Sequence, residues 1–309
     1  MPSLQTSRQV GEQVSDLNAI GFALAGFTFW VLTDTFVKLV GQSGLPPYEM
    51  VAFLGLFMAV FLAIYGFARG QPDILRPHRL SRQIARACLD MANNVCVVIA
   101  LRHLTLTLFY ILVFMAPMVI SLLSAIFLRE GLPWKKAIAI VAGFAGVIVA
   151  VHPWSSTHDG DWIGFTACIV CVACFSTNMV WSRVLTQTES PESLAFFSGI
   201  VTAVVGFALM VFVHTAPLTI RLTTGLLAMG LFCALGTLCF YIAVKHTSAA
   251  NVSQYHYTQL VTGTFVSYLI WRDKPGFYVL LGGTLILASG LYIAVTAREM
   301  LPITGSPVE

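Results

Sequence analysis

Ten apolar runs, each about 20 residues long, divide this chain of 309 residues. They cover approximately 19–40, 47–68, 84–101, 104–128, 133–151, 161–183, 192–213, 223–244, 248–271 and 277–296. As a helix rising about 1.5 Å per residue, such a run crosses the roughly 30 Å hydrocarbon layer of a bilayer. A helix satisfies its backbone polar groups internally, which an open strand or loop in hydrocarbon cannot do. Composition agrees, with 57% of residues hydrophobic and 10% charged, where a soluble domain carries about 25% charged residues. The connections are short and leave no room for a soluble catalytic domain. The sequence therefore predicts an all-α polytopic membrane protein of ten transmembrane helices.

Charge placement orients it. Arg69, Arg76, Arg79, Arg82 and Arg86 gather around the loop after the second run, and Arg129, Lys135 and Lys136 around the loop after the fourth. With ten spans, these loops share a side with both termini. Only five of the 17 basic residues (Lys38, Arg102, Arg221, Arg272 and Lys274) fall on the other side. The positive-inside rule then puts both termini in the cytoplasm. The expected location is a plasma membrane, in a bacterium the inner one. Residues 1–18 are polar and lack the apolar core of a signal peptide, so no cleaved signal is expected. They read as a mobile cytoplasmic tail, and 298–309 as a second one.

The seven cysteines all fall within predicted spans, and their odd number argues against a disulfide framework. Cys168, Cys171 and Cys174 share the CxxCxxC spacing of part of an iron–sulfur ligand run, but no fourth Cys follows. Small apolar side chains at a helix contact is the simpler reading. No HxxxH or HExxH pattern marks a metal site, and no cofactor is expected.

A shift of 143 residues lays one half of the chain on the other, Ile20-Gly21-Phe22 falling on Ile163-Gly164-Phe165. Under the same shift Glu49 meets Glu192, Arg102-His103 meets Lys245-His246, and Arg129-Glu130 meets Arg272-Asp273. Apolar matches between membrane helices are cheap; charged pairs at one fixed offset are not. The units are 19–153 and 161–297, five helices each. Five is odd, so the second unit enters the membrane inverted. Inverted repeats recur in secondary transporters, where two like units rock around a site near the midplane. Duplication retained for folding alone, as in some channels, is the alternative.

On these residues the chain resembles the drug/metabolite transporter superfamily, specifically its EamA-type branch. The nearest likeness lies in residues 100–153, with Pro117 in the fourth span, Glu130 at its end, and Gly143 and Gly146 in the fifth. Asp34 and Lys38, in TDTFVK, are similar to an Asp-x-x-x-Lys pattern of that branch. Many relatives carry an Arg in the second span after a Glu–apolar–Phe stretch. Here Leu54 and Gly55 stand at that point, so an anion-clamping role does not carry over. The resemblance implies transport of a small polar or amphipathic metabolite, often outward and without ATP. The chain has no GxxxxGK[ST] phosphate loop, which agrees.

Asp or Lys at a helix centre costs roughly 2.5–3.5 kcal/mol on insertion scales, so such residues turn toward a bundle interior or a cavity. Trp30, Asp34 and Lys38 share one face of the first span. Asp34 and Lys38 at i,i+4 can pair, as a structural ion pair or as a pair that substrate or a proton breaks. Asp90, Asn93 and Asn94 share a face of the third span, with Asp90 able to pair with Arg86. In the sixth span Asn178 and Trp181 align with this same level of the first repeat. The ninth span contains NVSQYHYTQL (251–260), whose repeat partner is the apolar LFYILVFMAP (108–117). The helix itself therefore does not require polarity there. On a continuous helix Asn251, Tyr255 and Gln259 share a face with His256 at its margin, so Tyr255 and Gln259 are ranked above His256. Tyr110 and Tyr241 complete the candidate substrate contacts. Asp34, Asp90 and His256 are the candidates for proton coupling, and Lys38, Pro117 and Glu130 are read as structural.

The leading expectation is a secondary transporter exporting or exchanging an amino acid, an amine or a related compound, with protons as a candidate coupling ion. An intramembrane enzyme acting on a lipid-linked substrate lacks a recognisable nucleophile–base or metal constellation. A passive channel fits the asymmetric polar and aromatic lining less well.

Overall fold

The computed structural model describes residues 3–70, 76–127, 134–152, 162–210, 219–246, 252 and 255–299. All regular structure among them is helical. We number the helices α1 (Ser3–Gly41), α2 (Pro47–Ala68), α3 (Leu80–His103), α4 (Leu106–Val113), α5 (Ala116–Phe127), α6 (Trp134–Val151), α7 (Trp162–Leu185), α8 (Pro191–Met210), α9 (Ile220–His246), α10 (Tyr257–Trp271) and α11 (Phe277–Glu299). Seven stretches among the described residues are long and apolar enough to cross a bilayer, with Leu106–Leu123 running through α4 into α5. α6 and α11 add shorter apolar segments, Ala137–Val151 and Phe277–Tyr292. The chain is an all-α membrane protein whose ten spans form two inverted five-helix repeats.

Three expectations change. Residues 3–18, read as a mobile tail, continue α1 as helix. The fourth span is two half-helices, α4 and α5, separated at Phe114 and Met115. Pro117 supplies the cause: it has no N–H to give the carbonyl of Val113, and its ring would clash with that turn. It sits instead in the first turn of α5, where a missing donor does no harm. In the ninth span, 143 residues further on from Val113, the regular hydrogen-bond ladder is interrupted at His256 before α10 begins, although His256 keeps helical backbone angles (φ −56°, ψ −31°). No proline is needed there; Gln259 N–H closes a tighter bond to His256 O at 2.9 Å. Broken helices at corresponding points of two repeats are a recurring way to place backbone and polar groups beside a transport site.

Helix pairing follows the repeat. The first helix of each unit packs along the third of the other, as α1 against α9 and α3 against α7. The second helices pair as α2 and α8, and the fifth as α6 and α11. The α2–α8 contact explains Gly55. A Cβ there would lie 2.7 Å from Gly199 O, and one on Gly199 would lie 2.9 Å from Ala59 N. Backbones this close leave no room for a side chain, so α2 serves here as a packing element.

Glu189, between α7 and α8, ties the other end of the bundle. Its buried carboxylate accepts from His78 N at 2.9 Å, Arg79 N at 2.8 Å and Gln83 Nε2 at 2.9 Å, with His78 Nδ1 at 3.5 Å. It thereby caps α3 from a distant part of the chain, satisfying amides that the helix leaves open. Burial alone would raise this carboxyl, but the donors outweigh it and hold it below the usual 4.5. A depressed folded-state pKa stabilises above the unfolded value and is lost as pH falls through the folded one. Glu189→Ala should thus lower thermal stability of the purified protein at neutral pH by about 1–3 kcal/mol, through unsatisfied buried donors. The gap from wild type should narrow in unfolding scans taken progressively below pH 4.5.

Candidate functional site

The inner faces of α1, α3, α4, α7, α9 and α10 enclose a cavity of about 80 Å³. Several waters fit in that volume, whereas sites for drug-sized ligands run to roughly 300–1,000 Å³. The helices therefore stand in a closed arrangement. Of the predicted site residues, the cavity brings together Trp30, Asp34, Asp90, Asn93, Asn94, Tyr110, Asn178, Tyr241, His256 and Gln259. Trp181 and Tyr255 do not line it; both are half-buried against the apolar core. Asn251 and Glu130 lie outside the described residues.

Asp34 is placed by packing from three helices. Its carboxylate accepts one bond from Tyr110 Oη at 2.8 Å. The tyrosine is aimed by α10, where Gly263 lies flat against the ring; a Cβ at that position would overlap ring carbons. The i,i+4 pairing of Asp34 with Lys38 expected from the sequence does not form. Lys38 turns away, donating to Leu104 O at 2.8 Å and lying 5.3 Å over the Trp271 ring. The reason is competition: the end of α3 offers Lys38 a bare carbonyl and an aromatic face near the helix end, with the Asp273 charge nearby. Among the described residues Asp34 has no Lys or Arg ion-pair partner.

Asp90 is in the opposite situation. Arg86, counted from the sequence among the loop charges, is fully buried. It donates to Leu194 O at 2.6 Å, Ser198 Oγ at 2.8 Å, Asn178 Oδ1 at 3.4 Å and the Tyr241 hydroxyl. Its guanidinium also lies 3.8 Å from Asp90 and 5.1 Å over the Tyr241 ring. Tyr241 passes its own proton donor to Asp90 at 3.4 Å, and Asn178 Nδ2 adds a bond to Asp90 at 3.2 Å. This network joins α3, α7, α8 and α9. Sequence reasoning noted the Arg86–Asp90 spacing but missed that Arg86 anchors the cavity wall. The signal available was an Arg one turn from an Asp within the same helix.

An aromatic wall completes the site. Trp30 lies 4.9 Å from Phe240 and 6.0 Å from Phe175, and its Nε1 donates to Thr237 Oγ1 at 3.3 Å. Gly236 makes space for that indole, since a Cβ there would sit 2.6 Å from Trp30 Cδ1. His256 stacks on Phe27 at 4.9 Å and stands 5.3 Å from Phe175. Tyr255 was ranked over His256 from the sequence; in the structure the His256 ring lines the cavity and Tyr255 does not. Gln259 donates to Phe27 O at 3.1 Å, so part of its amide is already engaged. Thr258 and Thr262 bond back to their own helix. Cys171 Sγ donates to Asn93 Oδ1 at 3.1 Å and Cys168 is buried at the α4 contact, and no metal-holding cluster occurs among the described residues.

Two cation-to-carbonyl bonds join helices around the cavity. Lys38 of α1 reaches Leu104 O after α3, and Arg183 of α7 reaches Val244 O of α9 at 2.8 Å. Each joins the first and third helices of one repeat, so each bridges the two tightly packed pairs α1–α9 and α3–α7.

Comparison with known proteins supplies kinship. Residues 17–152 and 162–295 match the EamA-like transporter family. The chain is 24% identical over 288 residues to an S-adenosylmethionine uptake transporter of Rickettsia felis, covering 92% of this chain and 95% of the relative. It is 26% identical over 277 residues to the pseudopaline exporter of Pseudomonas aeruginosa (89% and 95% covered). A riboflavin transporter of Rhizobium johnstonii is 26% identical over 296 residues, with 94% of each covered. One crystal structure superposes with a TM-score of 0.68 at 19% identity, covering 91% of this chain and 99% of that one; at this identity it shows the fold alone.

If Gly263 acts by aiming Tyr110 at Asp34, Gly263→Ala and Tyr110→Phe should overlap in effect. Each should lower stability by about 1.5–3 kcal/mol, the range for a bond to a charged or buried group. The double variant should lose clearly less than the sum in thermal unfolding. Additive losses would show that the glycine acts elsewhere.

Proposed function

The chain belongs to the EamA-like transporter family, and from that premise we propose that it is a secondary active transporter, not an enzyme. Its cargo is a small polar or amphipathic metabolite, an amino acid, an amine or a related compound, moved by export or exchange. The observation that carries this reading is the closed cavity at the junction of two inverted repeats, polar on a wall that the repeat partner makes apolar. Trp30, Asp34, Asn93, Asn94, Tyr110, Asn178, Tyr241 and Gln259 are the proposed substrate contacts. The protein sits in the plasma membrane, the inner one in a bacterium, with both termini cytoplasmic. The asymmetry of basic residues supports that orientation.

Alternating access follows from the packing. The pairs α1–α9 and α3–α7 move as units, because their contacts are extensive and those between first and third helices of one repeat are thin. Breaking Lys38–Leu104 opens one mouth, and breaking Arg183–Val244 together with Arg86–Tyr241 opens the other. Proton coupling is assigned to Asp34 over Asp90 and His256. Asp90 is already matched by Arg86. His256 stands amid aromatic rings without a carboxylate partner among the described residues. Asp34 has only a neutral donor.

In proteoliposomes, wild-type protein should show saturable counterflow of the transported metabolite and uptake driven by a proton gradient. Asp34→Asn should abolish the gradient-driven flux. Gradient-driven flux with unchanged pH dependence in that variant rules out Asp34 as the coupling group. Chemical conversion of the substrate points to an enzyme, and non-saturating flux to a channel.

A further inference from the structure

Among the described residues, the cavity is lined by two carboxylates and by no Lys or Arg. The two acids differ in a way that decides what can bind. Asp90 is tied to Arg86, Tyr241 and Asn178, so its charge is matched within the protein. Asp34 is about nine-tenths buried and holds a single hydrogen bond, from Tyr110. The nearest basic side chain along its own helix, Lys38, is committed to Leu104 O and the Trp271 ring. A carboxylate taken from water without a counter-charge is unfavourable by several kcal/mol, so this position demands a cation or a proton from outside the fold.

The surroundings favour an organic cation over a bare metal ion. Trp30 precedes Asp34 by one helical turn on the same face, with Phe240 at 4.9 Å and Phe175 at 6.0 Å from it, and Phe175 and Phe240 6.1 Å apart. The three rings pack against one another as one aromatic cluster and all line the cavity that holds Asp34, and aromatic faces attract an onium group. His256 adds an independent indication. It is 3% exposed, lines the same cavity, and its Nδ1 has no partner among the described residues. In the tautomer with Nε2 protonated, that nitrogen accepts a hydrogen bond from a ligand N–H. The other titratable groups facing Asp34 are Tyr110 from α4, Asp90 from α3, Cys171 from α7, and Cys233 and Tyr241 from α9; none is a cation. An anionic ligand would meet two carboxylates and no free positive charge.

We propose that this cavity, read as the transport site, binds an organic cation whose ammonium or other onium head sits between the Asp34 carboxylate and the rings of Trp30, Phe175 and Phe240. The remainder of the ligand lies toward Asn93 and Asn94, whose amides offer neutral donors and acceptors. The zwitterionic or polycationic character of that remainder is free, but a net anionic head at the Asp34 end is excluded.

Titration calorimetry on the purified full chain in detergent tests this directly, with benzyltrimethylammonium as cation, benzyl alcohol as neutral analogue and phenylacetate as anion. The cation should bind saturably and at least tenfold more tightly than either analogue. Asp34→Asn should weaken it at least tenfold, Asp34→Glu should retain most of the affinity, and Trp30→Leu should weaken it several-fold. Thermal melts taken first establish which variants are folded. If Asp34→Asn is not, Trp30→Leu and the order of the three probes on wild type carry the test. Preference for phenylacetate, no cation binding by folded wild type, or unchanged affinity in folded Asp34 and Trp30 variants overturns the proposal. Flux separates it from the transporter reading. Saturable liposome counterflow of a metabolite without any cation binding sinks this inference alone. Asp34-dependent cation binding with no flux through the membrane supports it and sinks the transporter reading instead.

Discussion

A charge held in hydrocarbon must be matched by something, and this chain matches its two cavity carboxylates in opposite ways. Asp90 is completed from within, by a guanidinium that also binds a backbone carbonyl, a serine and a tyrosine. Asp34 is left with one tyrosine hydroxyl. The first arrangement joins α3 to α8 and α9 and contributes to a stable wall. The second leaves electrostatic work undone, which is the condition for a site that exchanges its occupant. A structural ion pair and a functional acid thus differ here by whether the neighbouring cation turns toward the acid or away from it.

On the proposed transporter reading, the inverted repeat gives that local difference a mechanical setting. Because first helices pack on third helices of the other unit, the cavity lies between two rigid pairs rather than inside one bundle. Lys38–Leu104 and Arg183–Val244 link the two pairs with the same chemistry. Charge-assisted bonds to a carbonyl are strong enough to hold a closed state and few enough to be exchanged for water when a mouth opens. The interruptions at Phe114–Met115 and at His256 lie next to or at residues that line the cavity, Val113 and His256.

Divergence between the two copies is equally informative. Asn93 and Asn94 line the cavity, while their counterparts Gly236 and Thr237 make room for Trp30 and accept its indole N–H. The apolar Val113, last residue of α4, and the polar His256, just before α10, are equivalent positions of the two repeats, and both reach the cavity. Symmetry builds the container; departures from symmetry furnish its chemistry. Gly55 belongs to the container, since its helix approaches α8 too closely for any side chain.

Run length, charge asymmetry and the 143-residue offset were sufficient to read the membrane class, the ten spans and the repeat, because each follows from one-dimensional constraints: bilayer thickness, backbone satisfaction and duplication. Asp34, Asn93, Asn94, Asn178 and Gln259 were legible as cavity residues for a related reason, that polar side chains at membrane depth have few other places to go. His256, ranked below Tyr255 from the sequence, lines the cavity where Tyr255 does not, a difference between adjacent residues that packing from other helices decides. Arg86 was hidden because position near a helix end looks like a loop charge until α7, α8 and α9 close over it. Lys38 was paired with the wrong partner because i,i+4 spacing lists what can meet, and the carbonyl of Leu104 comes from 66 residues away. Which charges are neutralised, and which one is left for a ligand, depends on contacts between distant segments; only the tertiary structure decides that.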